Sequence, residues 1–144
     1  MKIWRKCMLF YLGGMIYCGI ELLWRRRTHG SMFVLGGACF VILGAIGEVG
    51  KKLPPILRVF TAAGVITALE LATGLLVNRD FVVWDYRQMP LNFRGQICLP
   101  YFLAWMPLAA VAMWIYPKLD AFLVRKSAKT ANNPAPFDRL QKKW

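Results

Sequence analysis

The chain has 144 residues, 58 % of them hydrophobic, and a formal net charge of +12. Four apolar runs of ~20 residues, each the length of a bilayer crossing, use up most of it and exclude two soluble domains. The charge does not point to nucleic acid, because the basic residues sit in short clusters flanking the apolar runs, an arrangement that suits membrane topology and anionic lipid.

In chain order, span one is expected over residues 7–24, stopped by Arg25, Arg26 and Arg27. Its basic start and apolar run are shared with signal peptides, but residues 19–24 lack a small-x-small cleavage site, so it reads as an uncleaved span. Span two covers 32–49, bounded by Lys51 and Lys52 and then by Pro54 and Pro55, which resist helix continuation. Span three covers 56–78. A long aromatic and polar connection, 79–95, leads to span four over 96–116, ended by Pro117. The expected fold class is therefore all-α, an integral membrane four-helix bundle with a structured loop between spans three and four. Residues 1–117 form the membrane domain and 118–144 a polar, basic tail whose Asn132, Asn133, Pro134, Ala135 and Pro136 are turn material. Trp4, Trp24, Trp84, Tyr101, Trp114 and Tyr116 lie near span ends, where aromatic belts form.

Orientation follows from Lys and Arg. The N-terminus, the second connection and the tail carry the larger share, and Arg25, Arg26, Arg27, Arg79, Arg87 and Arg94 the smaller, so both termini are expected on the cytoplasmic side. Helices in lipid approach closely through small residues. Gly36, Gly37 and Gly44 on span two, Gly74 beside Thr67 and Glu70 on span three, and Gly14 with Cys18 on span one are the expected packing faces.

Two spans carry a glutamate inside, Glu21 and Glu70. An ionisable group in hydrocarbon usually faces a partner, a cavity or a substrate path. Glu21 lies ~6 Å and Glu70 ~12 Å from the outer ends of their spans, so both belong to the outer half. The connections on that side add His29, Asp85, Tyr86, Arg87, Asn92 and Arg94, and with the two carboxylates these form the candidate ligand-binding set. Glu70 could instead lock spans together through Arg94 or Thr67, and Glu48 at the inner end reads as an interfacial charge. The lone His29 is a helix cap sooner than a base or a ligand, and Cys7, Cys18, Cys39 and Cys98 show no metal or redox spacing. No metal or cofactor is expected. There is no glycine-rich phosphate loop, HExxH or GxSxG, which favours a non-enzymatic role.

Residues 83–99, VWDYRQMPLNFRGQICL, resemble the W-D-Y-x-x-x-P-x-N-x-x-G-x-I-C-L signature of the bacterial Putative ABC-transporter type IV (CmpB-like) membrane family. Glu70 is similar to that family's acidic residue before the signature, and residues 28–37 to its glycine-bearing entry into the second span. The resemblance covers about residues 10–117 and implies a permease-like protein of the bacterial cytoplasmic membrane, with any ATP-driven activity supplied by a separate ATPase subunit. In the signature itself, Asp85 can fix a turn, Pro90 hold an extended segment, Asn92 cap a turn and Gly95 permit close approach to span four. The segment either folds back over Glu70 as a lid or lies as a surface loop held at the interface by Trp84 and Tyr86.

Three functions follow. The first is a transporter-like or ligand-binding module in which Glu21 and Glu70 meet arginines around a cavity, with membrane lipids around it and a homo-oligomer or partner subunit completing the path. The second is an enzyme acting on a lipid or isoprenoid with Asp85, Glu70 or His29 as acid and base. The third is a non-catalytic scaffold docking a membrane protein through its glycine faces.

Overall fold

The structure, a computed structural model, describes residues 3–132. Four helices follow one another: α1 (Ile3–Arg25), α2 (Gly30–Val49), α3 (Pro55–Val77) and α4 (Leu99–Asn132). All four are long and apolar enough to cross a membrane, and the chain is an all-α bundle of membrane spans. The turn-rich motif at 133–136 lies outside the described residues.

The helix ends have local causes. α1 stops where Arg26 turns to a positive φ of 57°, and Arg26 N–H closes the last turn on the Leu22 carbonyl. His29 then caps α2, its Nδ1 accepting from Ser31 N–H at 3.2 Å. A 3-10 turn, Gly50–Lys52, leads to Pro55 at the start of α3, where its missing N–H breaks no bond.

α4 departs from the expected span. It begins at Leu99 rather than at Gln96, because the Gln96 side chain is held by the end of α3 (below). Nor does it end at Pro117, but continues to Asn132 with Pro107 and Pro117 inside it. Proline is tolerated in such a helix where neighbours hold it. Here Tyr116 and Leu123 pack in one cluster with Leu9 and Phe40, and Arg5 of α1 lies 3.6 Å from Asp120. That pair also sets the first turns of α1 beside the last third of α4, at the end opposite the connection between α3 and α4.

α2 is central, touching α1, α3 and α4, and α3 packs on α4. The interface of α1 and α2 is reciprocal. Gly13 and Gly14 receive Phe40 and Phe33 of α2, while Gly36 and Gly37 receive Tyr17 and Phe10 of α1. Each helix thus offers a glycine pair to the other's aromatic rings, and the backbones come close enough that a Cβ at Gly37 would sit 2.6 Å from the Phe10 carbonyl oxygen. Gly44 lies against the Tyr116 ring and Gly74 against Gln96 and Trp84. These faces are spent inside the bundle and offer no surface to another protein. Outward, Leu23, Trp24, Ile56, Leu76 and Trp114 are exposed, as a lipid-facing surface requires.

Candidate functional site

The connection between α3 and α4 is built inward from Asn78, 1 % exposed at the end of α3. Asn78 Oδ1 accepts from Val83 N–H at 2.8 Å and Trp84 N–H at 3.3 Å. Its Nδ2 donates to the Trp84 carbonyl at 2.7 Å and to Gln96 Oε1 at 3.0 Å. Gln96 Nε2 returns a bond to the Asn78 carbonyl at 2.9 Å, and Trp84 Nε1 donates to the Gln96 carbonyl at 2.9 Å. With every polar atom of the knot satisfied, non-helical backbone can be buried at the bundle end. Val83, Trp84, Tyr86 and Cys98 consequently join the same core as Met32, Leu35 and Ile66. The segment is a lid folded back on the bundle, not a surface loop held at the interface by Trp84 and Tyr86.

The outer part of the lid explains four of the candidate residues locally. Asp85 and Arg87 are exposed and paired at 2.7 Å, and Arg87 N–H also donates to Asp85 Oδ1 at 3.0 Å. Those side-chain and backbone bonds from Arg87 hold the Asp85 carboxyl down to about 2, and raise the Arg87 guanidinium above its ordinary value. The Arg87 guanidinium also lies 4.3 Å from the Phe81 ring centroid. Asn92 Nδ2 donates to the Met89 carbonyl at 2.9 Å and its Oδ1 accepts from Gly95 N–H at 3.0 Å. A two-stranded hairpin follows, Asn92–Phe93 against Ile97–Cys98, turning through positive φ at Arg94 (53°) and Gly95 (64°). Arg94 points outward over Phe93, at 5.6 Å, and makes no bond to Glu70. His29 is exposed at the start of α2.

Beneath the lid the two carboxylates have different surroundings. Glu21, 6 % exposed, pairs with Arg25 one turn on and accepts from Thr28 Oγ1 at 2.9 Å. Arg25 also donates to the Val83 carbonyl at 3.0 Å, so this pair ties α1 to the lid. Glu70, 4 % exposed, has two neutral donors instead of a cation: Tyr86 Oη–H at 2.8 Å on one oxygen and Trp105 Nε1–H at 3.1 Å on the other. Thr67 bonds the Ala63 carbonyl and leaves Glu70 alone. Tyr86 stacks on Tyr101, with centroids 4.5 Å apart, and Tyr101 leans on Trp105 at 5.8 Å. Glu48 is exposed at the far end, without an ion pair among the described residues.

Glu70 lines a cleft of about 70 Å³ bounded by residues of all four helices. α1 contributes Gly13, Ile16, Tyr17 and Ile20, α2 Leu35, Cys39 and Leu43, and α4 Trp105, Leu108 and Ala112. Ile16 and Ile20 are exposed, so the mouth opens sideways toward lipid. Among the described residues no arginine lines it. The cavity is therefore bounded by aromatic and aliphatic groups and one carboxylate, while the arginines lie on the lid or pair at its edge. Glu70, Asp85 and His29 share no hydrogen bond among the described residues.

Sequence reasoning missed Trp105, Tyr17, Asn78 and Gln96. For Trp105 a signal existed: an indole N–H in the middle of a span needs an acceptor, and Glu70 was the deep acceptor available.

A family model described as Putative ABC-transporter type IV matches residues 7–134. No curated protein and no solved structure matches the chain.

Proposed function

The chain belongs to the Putative ABC-transporter type IV family, and from that premise we propose that it is a transporter-like membrane subunit whose ligand site is the cleft at Glu70. The observation that carries this reading is a buried carboxylate bonded only to Tyr86 and Trp105 and facing an apolar cleft open toward lipid. Among the described residues no basic side chain completes Glu70, in contrast to Glu21, which pairs with Arg25. Glu21, Arg25 and Thr28 are positioning residues that hold the lid, and Tyr86 carries the lid's position directly to Glu70.

The basic end, with Arg5, Lys6, Lys51, Lys52 and Arg58, is cytoplasmic by the positive-inside rule. The lid then faces outward. A cleft this narrow encloses no through-path, so transport requires a second copy or another membrane subunit, and ATP-driven transport a separate ATPase. A fluorescent protein fused after Trp144 should be bright and an alkaline phosphatase there inactive; the opposite pair of results reverses the orientation.

Native mass spectrometry of the protein released from nanodiscs tests the site. Wild type should carry a reproducible small-molecule or lipid adduct. Glu70→Gln at matched yield should lose it at least about tenfold, equivalent to ~1.4 kcal/mol, while staying folded at a stability cost of about 1–3 kcal/mol for the one buried donor the amide leaves unpaired. An adduct of equal occupancy in both proteins, or none in either, defeats the proposal.

A further inference from the structure

The cleft has a direction along the membrane normal. Its lining on α1 runs from Gly13 to Ile20, about 10 Å along the helix axis at 1.5 Å per residue. Glu70, Tyr17 and Trp105 supply its polar groups, while Leu43, Leu108 and Ala112 make an aliphatic wall. The Arg25 guanidinium, whose field reaches Glu70, is committed to Glu21 and the Val83 carbonyl. Glu70 therefore has no cation at ion-pair distance among the described residues, and Tyr17 and Trp105, which touch each other with ring centroids 6.4 Å apart, line the cleft beside it.

Each Glu70 oxygen accepts one bond and retains acceptor capacity. The faces of Tyr and Trp are electronegative and attract an ammonium that has shed its water. Among the described residues the lining offers an anion no cation, and a neutral chain would fill the aliphatic part without using the polar one.

Resting on the reading of this cleft as the ligand site, we propose that it selects an amphipathic monocation, an ammonium head on a single apolar chain, entering from the bilayer between α1 and α4. The head sits at Glu70 beside Tyr17 and Trp105, and the chain lies against Leu43, Leu108 and Ala112. Charge complementarity identifies the occupant, and the exposed Ile16 and Ile20 at the mouth give its route.

Radiolabelled decyltrimethylammonium is the probe, with the full chain in nanodiscs of zwitterionic phosphatidylcholine and empty nanodiscs subtracted for partitioning. Saturable binding is expected, weakened at least tenfold by Glu70→Gln and less by Glu70→Asp. Ile20→Trp, which narrows the mouth without touching Glu70 or its donors, should weaken it too, so the test survives if Glu70→Gln fails to fold. Decanol and decanoate at equal membrane concentration should not compete. Competition by decanol as strong as by the unlabelled cation overturns the choice of a cation while leaving the cleft a ligand site. No saturable binding of the cation also overturns that choice; a Glu70-dependent adduct in native mass spectrometry would still uphold the site. Binding unaffected by the Glu70 and Ile20 variants overturns both.

Discussion

Asn78→Ala should be the most damaging change in the connection between α3 and α4, lowering stability by roughly 3 kcal/mol or more. The substitution removes both bonds accepted from Val83 and Trp84 N–H and both bonds donated to the Trp84 carbonyl and Gln96 Oε1. These groups lie at a buried bundle end, and each one left without a partner costs about 1–3 kcal/mol, partly relieved by water entering as the lid loosens. Thermal unfolding in detergent, followed by tryptophan fluorescence, gives the magnitude, and limited proteolysis within 79–95 gives the location. Because Trp84 and Tyr86 are carried inward by the same knot, ligand occupancy at Glu70 should fall with it. A change below about 0.5 kcal/mol, the scale of ordinary surface substitutions, would show that the knot is not what holds the lid.

Gly37→Ala should separate α1 from α2. A Cβ at Gly37 would lie 2.6 Å from the Phe10 carbonyl oxygen and 3.0 Å from two atoms of its ring. A side chain can rotate away, but a carbonyl moves only with its helix, so the whole α1 interface must shift. Overpacking of this kind destabilises by about 1–3 kcal/mol, and the reciprocal contacts at Gly13, Gly14 and Gly36 put this site at the upper end. Gly64→Ala is the control: nothing lies within 4 Å of that glycine, and the gain in helix propensity should make the change neutral or stabilising by up to ~1 kcal/mol. Equal melting shifts for the two variants would contradict the packing described here. Gly44→Ala, whose Cβ would overlap the buried Tyr116 ring, should cost about as much as Gly37→Ala.

Glu70 shows how far a single sequence reaches. A carboxylate deep in an apolar run is conspicuous because the membrane makes every buried charge expensive, so its position alone nominates it. Its partners were not legible in that way. Arg94 and Thr67 were natural candidates by sign and spacing, yet Tyr86 and Trp105, 16 and 35 residues away, are what it bonds. The same holds for Arg87 and Arg94: their type suggested a cavity lining, and the positive φ at Arg94 and the pair with Asp85 turn both outward. At Pro117 a reliable local stop signal failed because packing of Tyr116 and Leu123 on Leu9 and Phe40 outweighs one missing backbone donor.

Four membrane spans, glycines at the close contacts and an acidic residue inside span three were all legible from residue order. Those features follow from the solvent: hydrocarbon demands long apolar helices, small residues where they touch and a reason for every charge. The tertiary structure alone decided that the third connection is a lid, that Glu21 is neutralised by Arg25, and that Glu70 opens onto an aromatic-lined cleft. Those outcomes depend on which donors the fold brings within ~3 Å of which acceptors, and hydrogen-bond energies fall off too steeply with distance and angle for residue type and spacing to decide them.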